Sequence, residues 1–146
     1  MGLSRRSQMA IEAMVAIACS GGELVSTTML AERMAVSRRT LEPVLQALAR
    51  AGLLISTKGP TGGYALALER NRISVQQIVE STESTLEEES DHKPSPLCRG
   101  VIDPISKRIR SAEAELLAGI KLSDLRLEAQ RLGCAPSYSR PIDYVI

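Results

Sequence analysis

Apolar residues along this chain recur mostly at helical spacing, interrupted by one pair of short continuous runs. From Ser4 to Ala18 the stripe Met9, Ala10, Ala13, Met14 and Ile17 predicts a first helix, ended by Gly21 and Gly22. Ser26-Thr27-Thr28 open a short second helix, because their hydroxyls can accept from free backbone N–H groups. Ala35-Val36 make a turn and Ser37 caps a third helix. There Leu41, Val44, Leu45 and Leu48 follow the i, i+3, i+4, i+7 spacing of a core-facing side. Pro43 interrupts this helix. Lacking an N–H, it predicts either a kink or a regular helix that starts only near Thr40.

Beyond Gly52 the period changes. Leu53–Thr57 and Tyr64–Leu68 read as strands, joined by the tip Lys58-Gly59-Pro60-Thr61-Gly62-Gly63, where glycines permit positive φ and the proline fixes a corner. Ile73 to Thr82 is a fourth helix with Ser74 as its cap and Val75, Ile78 and Val79 inward. The acidic, proline-containing stretch from Ser84 to Pro96 reads as a loop. Asp103-Pro104 then look like the cap and first residue of a longer helix. Along it Ile105, Ile109, Ala112 and Leu116 recur at spacings of four, three and four, with Ile102 ahead and Leu117 and Ile120 widening the stripe. That is a short heptad seam, more apolar surface than so small a domain can cover, and it predicts dimerisation. Ser123 is expected to cap a last helix running to Leu132.

The predicted fold is therefore mainly α with a small β-hairpin: a winged helix-turn-helix followed by a long dimerisation helix. Residues 1–82 form the winged helix-turn-helix domain, 83–100 a linker or sensing loop, and 101–146 the dimerisation helix with a C-terminal helix and tail. Composition fits. Hydrophobic residues make up 44% of the chain and aromatics 2%, so the core must be aliphatic and base stacking cannot be the main binding device.

The net charge of +1 hides segregation. Residues 1–72 hold nine Lys/Arg against five Asp/Glu, whereas residues 73–98 hold one against six. A basic first half can attract phosphate while the acidic stretch faces elsewhere. A basic helix followed by a basic hairpin is how winged helices meet duplex DNA, the helix in the major groove and the hairpin on its flank. Ser37, Arg38, Arg39, Thr40 and Glu42 lie at the N-terminal end of the third helix, where base-reading side chains sit. Arg can read guanine, and Glu can accept from the cytosine amino group. Arg5 and Arg6 at the start of the first helix, and Thr27 and Thr28 at the start of the second, are further candidates for phosphate. A solvated mixed-charge surface would show the same totals, so charge alone does not decide.

Other classes lack their residues. With one histidine and no Ser/His/Asp or Cys/His spacing, no catalytic constellation can be assembled. The glycine-rich tip has no GK[ST] and no helix directly after it, which excludes a P-loop. No run of 18 apolar residues predicts a membrane span. Three widely spaced cysteines are not a disulfide framework, and Glu12 interrupts the one signal-like run, so a cytoplasmic location is expected. Against the regulator stands one alternative, a winged helix that binds protein instead of DNA.

The succession S-x-x-x-L-E-x-x-L-x-x-L-x-x-A-G-L from Ser37, the wing K-G-P-x-G-G-Y-x-L from Lys58, and the later L-C-R-G-V-I-D and I-K-L-S-D-L resemble the IscR/NsrR-type family of bacterial transcription regulators, over about Leu3 to Leu125. The resemblance implies a homodimer acting, most simply as a repressor, on a pseudo-palindromic operator in double-stranded DNA. Its groove-reading positions fall on Ser37, Arg38, Arg39, Thr40 and Glu42, and its wing contacts on Lys58, Gly59, Pro60, Thr61, Gly62, Gly63 and Tyr64. Members that bind an iron–sulfur cluster carry three cysteines ahead of the dimer helix, and some add a carboxylate from the first helix. Here only Cys98 matches, His92 lies six residues upstream, and Gln8 occupies the first-helix region. No cluster is expected on that donor set. The alternatives are a cluster-based redox sensor with His92 as a further ligand, a redox-active Cys98 with its thiolate favoured by Arg99, or a small-molecule signal.

Overall fold

The computed structural model describes residues 2–83 and 93–135. Its elements are α1 (Arg5–Ala18), α2 (Thr27–Met34), α3 (Arg38–Arg50), strands β1 (Leu54–Thr57) and β2 (Gly63–Leu66), then α4 (Val75–Glu83), α5 (Asp103–Ala118) and α6 (Leu122–Arg131). Serines start the first three helices as the sequence predicts. The Oγ atoms of Ser4, Ser26 and Ser37 accept from the N–H groups of Ser7, Met29 and Thr40, each at 3.1 Å. Each cap satisfies a donor that the helix itself cannot.

The core is aliphatic and centred on α1, which packs against α2, α3, α4 and α6. Met14, Ile17, Leu30, Leu41, Leu45, Leu48, Ile73 and Ile78 are almost wholly removed from water. At about 1.5–3 kcal/mol for each large side chain buried, this cluster is the main source of stability. One buried polar contact crosses it, between the hydroxyls of Ser7 on α1 and Thr82 on α4 at 3.1 Å.

Helix α3 is regular from Arg38 onward, with Pro43 inside it, so the late start near Thr40 is corrected. Ser37 holds the beginning: its Oγ binds the Thr40 N–H and its carbonyl accepts from Leu41 at 3.1 Å. Between α2 and α3 the turn is made by Ala35, the one non-glycine residue in the left-handed region among the described residues (φ 54°).

The hairpin pairs Leu54 with Leu66 and Thr57 with Gly63, antiparallel. A third segment joins it, because Val25 and Tyr64 exchange both backbone hydrogen bonds at 2.9 Å. This close approach explains Gly63, and the tight tip of the hairpin itself explains Gly62. A Cβ on Gly62 would lie 2.1 Å from the Thr57 carbonyl oxygen, and one on Gly63 would lie 2.5 Å from that of Val25. Gly63→Ala is therefore expected to destabilise the head by about 1–3 kcal/mol, read as a lower denaturant midpoint, since backbone has to move to admit the methyl group.

The long helix starts earlier than Asp103. Ser95 is its cap, with Oγ accepting from the Cys98 N–H at 3.2 Å and its carbonyl accepting from Arg99 at 3.0 Å. Helical backbone then runs from 96 through a widened π-type turn, Cys98–Ile102, into α5. Pro104 supplies a reason: it has no N–H for the Gly100 carbonyl, and the turn ahead of it opens so that Asp103 N–H reaches the Cys98 carbonyl. None of the α5 residues is buried, and Ile102, Ile105, Ile109 and Leu116 are 44–69% exposed. Ile120 lies beyond the helix, where its carbonyl accepts from Val75 N–H at 2.9 Å.

The chain then returns to the head. Leu122 N–H donates to the Ile73 carbonyl at 2.8 Å, and the Leu122 side chain is wholly buried in the core. Lys121, not Ser123, precedes the first turn of α6, and the Asp124 carboxylate accepts from its N–H at 3.0 Å.

Candidate nucleic-acid interface

Burying Leu41, Val44, Leu45 and Leu48 fixes what α3 shows to solvent. Arg39, Pro43, Gln46 and Arg50 are all exposed, and their spacing of four, three and four puts them on one face. Pro43 thus belongs to the outer face and disturbs no core contact. Gln46 is absent from the sequence-based candidates, although the polar residues repeat with the same period as the buried leucines and would have revealed it. Its amide can bind adenine through N6 and N7, as Arg can bind guanine through O6 and N7.

The predicted α3 residues divide into two groups. Arg38 Nη2 lies 3.2 Å from Glu42 Oε1, one turn along the helix. Such an exposed pair contributes about 0.3–0.5 kcal/mol, little enough for either partner to be exchanged for a base. Ser37 and Thr40 join hydroxyls at 2.8 Å within the cap, so they set the helix start as well as facing outward. Arg39 makes no ion pair or hydrogen bond among the described residues and is exposed. It is the cation best placed to engage a new acceptor.

The wing divides similarly. Lys58, Gly59, Pro60 and Thr61 form an exposed tip. Gly62 and Gly63 permit the backbone approach described above, and Tyr64 packs half-buried against the core. At the other helix starts, Arg5 and Thr28 are exposed while Arg6 and Thr27 are half-buried. Arg6 Nε is sealed from solvent without a partner among the described residues, which makes Arg5 the more accessible of the two arginines.

With this geometry in view, a sequence profile described as Rrf2, iron-dependent transcriptional regulator, matches residues 3–127. The chain belongs to the Rrf2 family. It carries the winged helix-turn-helix head of a DNA-binding transcription regulator, and the family is one of regulators, not enzymes. The chain is 39% identical over 89 residues to the transcriptional regulator IscR of Cereibacter sphaeroides, covering 59% of this chain and 57% of that protein. It is 27% identical to IscR of Aliivibrio salmonicida over 88% of this chain and 79% of that one. Among solved structures, T. potens IscR superposes with a TM-score of 0.70 at 28% identity, covering 94% of this chain and 95% of that chain. CymR (YrzC), the global cysteine regulator of B. subtilis, gives 0.67 at 25% identity, covering 88% and 98% respectively.

Iron in this family raises the question of ligands. His92 lies outside the described residues. Among the described residues no three His, Cys, Asp or Glu side chains gather as a metal site. Among the described residues Cys98 has a carboxylate, Asp103, but no second thiolate or imidazole beside it. Cys19 ends α1 within the field of Arg126 and Arg70, and Cys134 follows α6. This donor set does not fit an iron–sulfur cluster, which requires four ligands, usually mostly thiolates.

The geometry also corrects the reading of Cys98 as an Arg99-activated thiolate. Arg99 turns away and donates from Nε to the Pro94 carbonyl at 3.2 Å. Cys98 instead directs its thiol to Asp103 Oδ1 at 3.7 Å, five residues on and within reach across the widened turn. Partial burial, the Asp103 charge and this hydrogen bond all push the Cys98 thiol above its ordinary pKa. Less thiolate is present near pH 8 than in a free cysteine. Asp103→Asn removes a negative charge and weakens the acceptor. Iodoacetamide should then alkylate Cys98 faster in a Cys19→Ala/Cys134→Ala background, and an unchanged or slower rate would show that Asp103 does not govern the thiol.

Proposed function

We propose that the chain acts in the cytoplasm as a homodimeric, sequence-specific repressor on a pseudo-palindromic operator, without an iron–sulfur cluster. Residues 1–82 form the reading head, 83–100 the linker and 101–146 the dimerising part. The observation that carries this reading is the pairing of two exposed features: the polar α3 face through Arg39 and Gln46 with the Lys58 wing, and the uncovered apolar stripe of α5. The first is suited to a half-site in the major groove, and the second to a copy of itself that presents the other half-site. Repression by occlusion is the simplest output for a chain whose described elements are devoted to these two tasks. No described helix is long and apolar enough to cross a membrane.

Selection of bound sequences from a random duplex library tests the proposal. An inverted repeat is expected, with half-site centres separated by roughly one helical turn or a multiple of it. Log affinity should fall with log salt by about 0.9 for each phosphate neutralised. Salt-independent retention with no enriched sequence would point instead to a protein-binding winged helix.

A further inference from the structure

One cleft among the described residues is lined by neither α3 nor the wing tip and has no part in the function proposed above. It measures about 640 Å³ and is lined by the end of α1, the return strand β2, the turn that follows it and α6. Its apolar lining includes Leu66, Leu68 and Leu127. Its polar lining includes two guanidiniums, Arg70 and Arg126, against one carboxylate, Glu69. Neither arginine forms an ion pair with Glu69 or with any other described acid. Asn71 and Ser123 add an amide and a hydroxyl to the same wall.

We propose that this cleft binds a small organic acid, a carboxylate carrying an apolar body. The carboxylate lies against the guanidiniums of Arg126 and Arg70 and forms charge-assisted bonds with them. The apolar body covers Leu66, Leu68 and Leu127. Inorganic phosphate would leave those apolar side chains uncovered, and a neutral apolar molecule would leave both guanidiniums without a counter-charge. The position also gives the ligand leverage. β2 is the inner strand of the wing, and α6 is joined to α5 by the short segment that pairs with Ile73 and Val75. A molecule bridging β2 and α6 therefore fixes the wing relative to the long helix. That consequence for DNA rests on the function proposed above, whereas binding itself does not, so the two can fail separately.

The probes are phenylacetate and its neutral isostere phenylacetamide, titrated without DNA into the full chain and followed by calorimetry and amide NMR shifts. A ligand of about ten heavy atoms is expected to bind in roughly the millimolar range. Phenylacetate should shift amides from Leu66 to Asn71 and from Ser123 to Leu127, and phenylacetamide should bind at least about tenfold more weakly. Arg126→Gln should lose a similar factor while Arg126→Lys retains part of the affinity, and Arg70→Gln gives a second loss at an exposed position that leaves the fold intact. Equal binding of acid and amide, shifts confined to other parts of the chain, or no binding of phenylacetate would each overturn the proposal. Once binding is established, adding phenylacetate to a protein–operator complex should alter operator affinity. Unchanged affinity would sink the coupling alone.

Discussion

Replacing Arg39 with alanine is expected to weaken operator binding by about 10²–10⁴-fold, the cost of one bidentate arginine–guanine contact in each half-site. The side chain is exposed, makes no bond within the described chain, and shares its face of α3 with Gln46 and Arg50. Its loss should leave the thermal midpoint within the small range of ordinary surface substitutions. Lys58→Ala at the wing tip makes an informative contrast. A phosphate contact carries no sequence information, so that variant should weaken all duplexes alike and reduce the salt slope by about two units, one for each wing of the dimer. Arg39→Ala should instead flatten base preference at one position of each half-site. Gel-shift titrations at several salt concentrations, on the selected operator and on single-base variants, separate the two effects. Unchanged affinity in both variants would remove α3 and the wing from the interface.

Much of this was legible because its causes are local. The leucine stripe of α3 and the serine caps depend on residues three and four positions apart, which a linear reading can count. The wing was legible because glycines and a proline cluster between two short apolar runs, although only Gly59 of the tip has a positive φ, and Gly62 and Gly63 serve instead to admit close backbone. What escaped the reading depends on distance or on an unusual turn. Ser95-Pro96 and Asp103-Pro104 carry the same cap signature, and only the fold decides that the first opens the long helix. Cys98 meets Asp103 across five residues in a π-type turn, a spacing outside the 3.6-residue repeat, so adjacent Arg99 looked like its partner when it was not. Leu122 is another case. Nothing near it in sequence indicates that α6 turns back to bury it beside Ile73, or that a cleft lined by Arg70 and Arg126 forms in consequence.

Ile109→Glu is expected to convert the dimer into folded monomers of 15.8 kDa and to reduce operator affinity by about 10²–10⁴-fold. In the single chain Ile109 is 44% exposed on a helix with no buried residue, so the folded head has nothing to lose from the substitution. Across a paired seam the situation reverses. Ile105, Ile109, Ala112 and Leu116 lie at spacings of four, three and four, and a carboxylate at Ile109 would meet apolar neighbours from both helices with no partner for its charge. The affinity loss then arises without any change to α3 or the wing. Two linked heads engage the second half-site at a high effective concentration, and separate heads do not. Sedimentation equilibrium reads the mass, and a single half-site duplex supplies the control. On it the monomeric variant should bind as a single wild-type head does, since its reading face is unaltered. If Ile109→Glu stays dimeric and keeps full operator affinity, the stripe is not the seam and the two heads must be joined elsewhere.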